Sequence, residues 1–152
     1  SLFLARTFIA ENPGYFTSMV SDGSRIENHT LSHRLDFART SYAEQKAEIC
    51  GMSDYELAAY GRRPVLFRPP GGPYSPATRR AAADCGIRAI VDWAATVDNG
   101  RMHYQSGDSL KQGDIVLMHF RPGFMADLAA FVAAQRAAGL RVALLENFLG
   151  LG

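Results

Sequence analysis

The sequence predicts a parallel α/β fold. Short β-like runs alternate with helical patterns from one end to the other, the helical stretches carry their own cap signals, and polar residues suited to chemistry recur where strand runs end. With 152 residues, 47% of them hydrophobic, the chain can bury one substantial core, so a single domain over residues 1–152 is expected.

The elements follow in order. A first strand candidate lies within Leu2 to Phe8, and Asn12-Pro13 then opens a helix whose apolar stripe runs through Tyr15, Phe16, Met19 and Val20 until Asp22-Gly23 stops it. A strand from Arg25 to Asn28 leads into His29. Ser41 and Glu44 form a capping-box signature ahead of a long Ala-rich helix, in which Gly51 and Ser53 predict a break. Val65 to Phe67 is a short strand running into Arg68. Ser75 at an N-cap, with Pro76 just inside, opens the next helix, and Gly86 closes it. Ile87 to Val91 and Ile115 to His119 read as buried strands and Arg141 to Leu145 as the last one. Before that last strand, Phe124 to Ala138 is an apolar helix ended by Gly139.

Composition narrows the function classes. Sixteen Lys and Arg against 15 Asp and Glu leave a formal charge of +1, too small for the basic footprint that a phosphate backbone requires, so no nucleic-acid partner is expected. Cys50 and Cys85 form no CxxC pair and no dense framework; they read as core thiols rather than a disulfide scaffold or thiolate zinc site. No apolar run reaches the roughly 18 residues of a membrane span, and Arg6 interrupts Leu2-Phe3-Leu4 too early for a signal-peptide core.

Four stretches carry candidate chemistry. His29-Thr30-Leu31-Ser32-His33 sets two imidazoles four residues apart after a strand, where both can reach one zinc ion if the loop turns helically; two capping or solvent-facing histidines are the alternative. Phe67-Arg68-Pro69-Pro70-Gly71-Gly72-Pro73-Tyr74 reads either as a rigid surface loop or as a ligand-facing one. In the second case Arg68 can grip a carboxylate and the Gly71 N–H can face an oxyanion. His119 ends a strongly apolar strand, as a core histidine or a catalyst. Trp93 serves as core or as a platform for a sugar, and either Asp92 or Asp98 can partner a histidine, Asp98 being preferred because Asp92 falls inside the strand run. The fourth histidine, His103, reads as a loop residue. In barrels of βα units such strand ends converge on one mouth.

The ordered set HTLSH, FRPPGG, WAATVD and IVLMH resembles carbohydrate esterase family 4, the polysaccharide deacetylases, across essentially the whole chain. The resemblance implies a distorted, incomplete (β/α) barrel and metal-dependent removal of N- or O-acetyl groups from glycans, with peptidoglycan, chitin-like oligomers or xylan as substrate classes. It implies a divalent metal, zinc first and cobalt or nickel as alternatives, held by His29 and His33. Arg68 would orient the base, His119 would be the general acid tuned by Asp98, and Gly71, Tyr74 and Trp93 would lie on the substrate side. A place at the cell envelope or outside the cell is implied as well.

Three departures stand out. The usual Asp-Trp pair reads Asp98-Asn99, and Glu27 replaces the glycine common before Asn-His-Thr, which would alter the wall of the site. The family's first motif, an Asp-Asp strand end supplying the base and the third metal ligand, has no counterpart; by the order of motifs it and its strand and helix belong upstream of Ser1. The rival expectation is a glycan-binding or structural homologue without the base.

Overall fold

The computed structural model describes residues 1–151, and the chain divides into two compact units: residues 1–91 together with 144 onward, and residues 92–143. The first unit holds a four-stranded parallel sheet in sequential order: β1 (Leu2–Leu4), β2 (Ile26–Asn28), β3 (Leu66–Phe67) and β4 (Ala89–Ile90). Parallel neighbours need long crossovers. Helices supply them: α1 (Arg6–Ile9) and α2 (Pro13–Ser21) lie between β1 and β2, α3 (Tyr42–Tyr60) between β2 and β3, and α4 (Pro76–Asp84) between β3 and β4.

The helix starts are set locally. The Asn12 side chain accepts from the Tyr15 N–H to cap α2, while Ser41 with Glu44 and Ser75 with Thr78 close capping boxes on α3 and α4. Apolar faces then close two core clusters. One gathers Phe37, Ile49, Phe67, Ala81, Ala82 and Ile87, and the other Leu4, Ile9, Phe16, Ile26 and Met52.

Three expectations are corrected. α3 runs unbroken through Gly51 and Ser53. Gly51 is there for room: a Cβ at that position would lie 2.7 Å from Leu31 Cδ1, and the Ser53 hydroxyl accepts from Asn28 Nδ2 at 3.0 Å. Cys50 and Cys85 are a disulfide rather than free core thiols, joining α3 to the C-cap of α4. A pair this distant in sequence leaves no spacing signature. Arg141 to Leu145 forms no strand; Arg141, Val142 and Ala143 are exposed, and a short helix α6 (Leu145–Phe148) starts instead, the Leu145 N–H donating to Ser1 Oγ.

The second unit is a three-stranded sheet in the order β6 (Arg101–Tyr104), β5 (Ala95–Asp98), β7 (Val116–Leu117), against which α5 (Phe124–Ala137) packs. β5 and β7 are parallel, but β6 is antiparallel to β5, so the sequence expectation of a wholly parallel alternation fails here. The cause is the Asn99-Gly100 turn. Both residues have positive φ, 51° and 70°, as a two-residue hairpin of matching twist requires. His103 therefore sits on a strand opposite Thr96 rather than in a loop.

Candidate active site

The first unit brings His29, His33 and Arg68 together. His29 follows β2 directly, and its Nδ1 lies 2.5 Å from the carbonyl of Arg68, the residue after β3. A proton on Nδ1 donates to that carbonyl and leaves Nε2 with its lone pair, the tautomer of a metal-binding histidine. The two imidazoles pack edge to face at 4.8 Å between centroids, and Phe8 packs edge-on to His33 at 5.1 Å. Burial pushes the His33 pKa below its ordinary value, favouring the neutral ring that coordinates a cation. These observations fit one divalent ion taking two donors from the turn. Among the described residues, no group of three or more His, Cys, Asp or Glu side chains is arranged to hold a metal.

The turn itself is strained and heavily supported. Thr30 and His33 both have positive φ, 73° and 55°, which is unfavourable for a β-branched threonine. The buried Asn28 amide donates to Ile49 O at 2.8 Å and to Ser53 Oγ, and its Oδ1 accepts from the Thr30 N–H at 3.0 Å. The His33 N–H donates to Thr30 Oγ1 at 3.0 Å, and the N–H groups of Arg6 and Thr7 donate to Thr30 O and Leu31 O.

Arg68 is 7% exposed, with its guanidinium 4.4 Å over the Phe3 ring and its N–H donating to Asn28 O at 3.0 Å. The loop beyond it turns at once, the Gly72 N–H donating to Pro69 O at 3.0 Å with Gly71 between them. Tyr74 is exposed at the end of that loop, with the Arg79 guanidinium 5.1 Å over its ring. Glu27 is fully buried. Its carboxylate accepts from the Val65 and Leu66 N–H groups, both at 2.7 Å, and from Arg62. The departure at this position therefore serves the start of β3. Burial raises the Glu27 pKa, and Arg62 pulls it back down.

In the second unit Asp98 is the last residue of β5, and His119 lies two residues past β7, its parallel neighbour; both occupy the carboxyl ends of their strands. His119 is exposed. Asp98 forms an ion pair with Arg121, which also reaches the buried Asp127 at 3.4 Å. Asp127 in turn accepts from the Gly100 N–H at 2.7 Å and ties the hairpin to α5. Sequence reasoning missed Arg121 and Asp127. The Arg at two residues beyond His119 gave no motif, and Asp127 is an ordinary first-turn acid until the Asn-Gly hairpin is placed above it.

Trp93 is placed elsewhere. It precedes β5 and, with Asp92, Gln105, Lys111, Asp114 and Ile115, lines a cavity of about 390 Å³ at the amino ends of β5 and β7, opposite the end that carries Asp98 and His119. Asp92 lies outside any strand, whereas the sequence places it within a strand run.

The first unit thus combines a parallel sheet and helical crossovers with a paired-histidine turn set against a buried arginine. The family model for polysaccharide deacetylases matches residues 1–90, and the chain belongs to that family. It is 41% identical over 155 residues to an uncharacterized protein of Streptomyces coelicolor, covering 98% of this chain but 62% of the relative, so it spans less than two thirds of that protein. It is 26% identical over 164 residues to a peptidoglycan-N-acetylglucosamine deacetylase of Bacillus cereus, covering 98% of this chain and 74% of the relative. Among solved structures, a family 4 carbohydrate esterase from Streptomyces lividans in complex with acetate superposes with a TM-score of 0.77 at 23% identity, over 94% of this chain and 77% of that one. The α/β fold expected from sequence is thereby shown to be that of the family 4 carbohydrate esterases.

Proposed function

We propose that residues 1–152 are part of one catalytic domain that hydrolyses acetyl groups from an N- or O-acetylated polysaccharide, peptidoglycan or a chitin-like polymer first among them, with a divalent cation held by His29 and His33. The observation that carries this reading is the paired imidazoles at 4.8 Å, one with its tautomer set by a backbone carbonyl. A zinc ion bound there would polarise the acetyl carbonyl and acidify a water.

The chain's own residues have these roles. His29 and His33 present neutral imidazole nitrogens, and the Gly71 N–H donates to the developing oxyanion. His119 gives a proton to the leaving sugar nitrogen or oxygen, and the carboxylate of Asp98 favours its charged form. Arg68, buried and stacked on Phe3, orients a carboxylate base. Tyr74, exposed beside the Arg68 loop, contacts glycan outside the reacting centre. The reading requires that base and a third ligand from a carboxylate, since the sequence holds no Asp-Asp pair. The Cys50–Cys85 disulfide supports a site of action outside the reducing cytosol.

The test is acetate release from acetylated chito-oligosaccharide and peptidoglycan fragments by the protein at its native length, with zinc added. Acetate is expected, and His119→Ala should lower the rate by about 10²–10⁴-fold. Failure of the native-length protein to release acetate from either substrate overturns the enzyme reading. Binding of the oligosaccharide without release selects the second reading, a glycan-binding homologue, which rests on the one step these residues do not supply.

A further inference from the structure

The histidine turn has a support that lies outside its own segment. Glu48, on α3, sends its carboxylate across to the turn: Oε2 accepts from the Leu31 N–H at 3.0 Å and from the Ser32 N–H at 2.9 Å, while Oε1 accepts from the Ser32 hydroxyl at 2.8 Å. These two amides lie between the two histidines. They also lie between the two residues with left-handed backbone, Thr30 and His33. Such a conformation persists only where its surroundings over-determine it. Asn28 and Arg6 fix the entry at Thr30, and Thr30 Oγ1 fixes the exit at His33, but the middle is held by Glu48 together with the Thr7 N–H on Leu31 O.

We infer that Glu48 is a positioning residue for the metal-ligating turn: by accepting both central amides it keeps His29 and His33 aimed at a common ion. The inference rests on the metal reading above. The geometry gives it a reason beyond stability. A carboxylate accepting two neighbouring N–H groups locks the peptide planes of residues 31 and 32, and through them the direction in which the His33 Cα–Cβ bond leaves the chain. Losing that lock leaves the turn free to relax toward ordinary backbone angles, at which the two rings no longer converge. The α3 side of the contact is equally fixed, because Ile49 and Ser53 receive the Asn28 amide and Gly51 seats Leu31.

The experiment is a calorimetric zinc titration of the protein at its native length, as wild type, Glu48→Ala, Glu48→Asp and Glu48→Gln, with a thermal melt of each. Glu48→Ala should weaken zinc by about 10–100-fold, the range found when a residue that orients metal ligands is lost. Glu48→Asp, too short to reach both amides, should weaken it as well. Glu48→Gln keeps one acceptor oxygen for the amides and should recover most of the affinity. If Glu48→Ala does not fold, the Asp and Gln pair carries the comparison. Wild-type and variant affinities that agree while wild type binds zinc overturn the positioning role alone, as does an affinity loss that tracks the melting temperature and is not recovered by Gln. A wild type that takes up no zinc at any concentration overturns the metal reading and this inference with it.

Discussion

In the first unit, the turn between His29 and His33 is held from β2, from the start of α1 and from α3, by an asparagine that is completely buried and a glutamate that grips two amides. In the second unit, the strand ends that carry Asp98 and His119 open to solvent, and Asp98 is engaged by an Arg121 side chain that is itself 37% exposed. The difference fits two kinds of chemistry. Under the proposed function, the histidines that would hold a metal sit on a backbone that cannot relax, because coordination tolerates little angular error, while the histidine that would donate a proton needs reach and water contact more than rigidity.

The contrast can be broken most directly at Asn28. Asn28→Ala removes three hydrogen bonds, among them the one that satisfies the Thr30 N–H, so a loss of about 3 kcal/mol is expected in denaturant unfolding. A loss below about 1 kcal/mol would show that the turn does not depend on this residue.

A second, intermediate effect lies in Glu56, buried on α3 with one carboxyl oxygen lacking a hydrogen-bond partner. Desolvation, with the charge of Glu27 beside it, pushes its pKa up to about 9 from the ordinary 4.5. The folded protein keeps this proton where the unfolded chain has released it. Its contribution to stability is therefore complete below pH 4.5 and drains away as the pH rises to about 9. Glu56→Gln should flatten that decline, raising stability at pH 8 by on the order of 2 kcal/mol; parallel pH dependences for variant and wild type would exclude the buried acid as the cause.

The smallest effect is expected in the second unit. Arg121→Ala breaks an exposed pair and should cost less than about 1 kcal/mol. A loss above about 3 kcal/mol would reveal that the buried Asp127 relies on this arginine, and that the two regions are more alike than their exposure suggests.

Much of this was legible in the sequence. Asn12-Pro13, Ser41 with Glu44 and Ser75-Pro76 announce helices because capping is a local matter, and the strand-end placement of His29, Arg68 and His119 follows from the same local alternation. What stayed hidden depends on neighbours distant in the chain. Gly51 looks like a helix breaker until Leu31 is known to sit against it, and Arg141 to Leu145 has a strand's composition but takes no ladder partner. The exception is Asn99-Gly100, a local hairpin signal that the sequence reading does not use: it assigns no strand to residues 94–98 and places His103 in a loop. Reading it would have placed His103 on β6 and shown Asp98 at a turn.

The bond between Cys50 and Cys85 closes a covalent ring that contains the second half of α3, all of β3, the Arg68-to-Tyr74 loop and α4. Arg68, Gly71 and the exposed Tyr74 thus ride on a circle rather than on an open thread. A protease that nicks this loop leaves both cut ends tethered, and the pieces part only when a reductant opens the clasp.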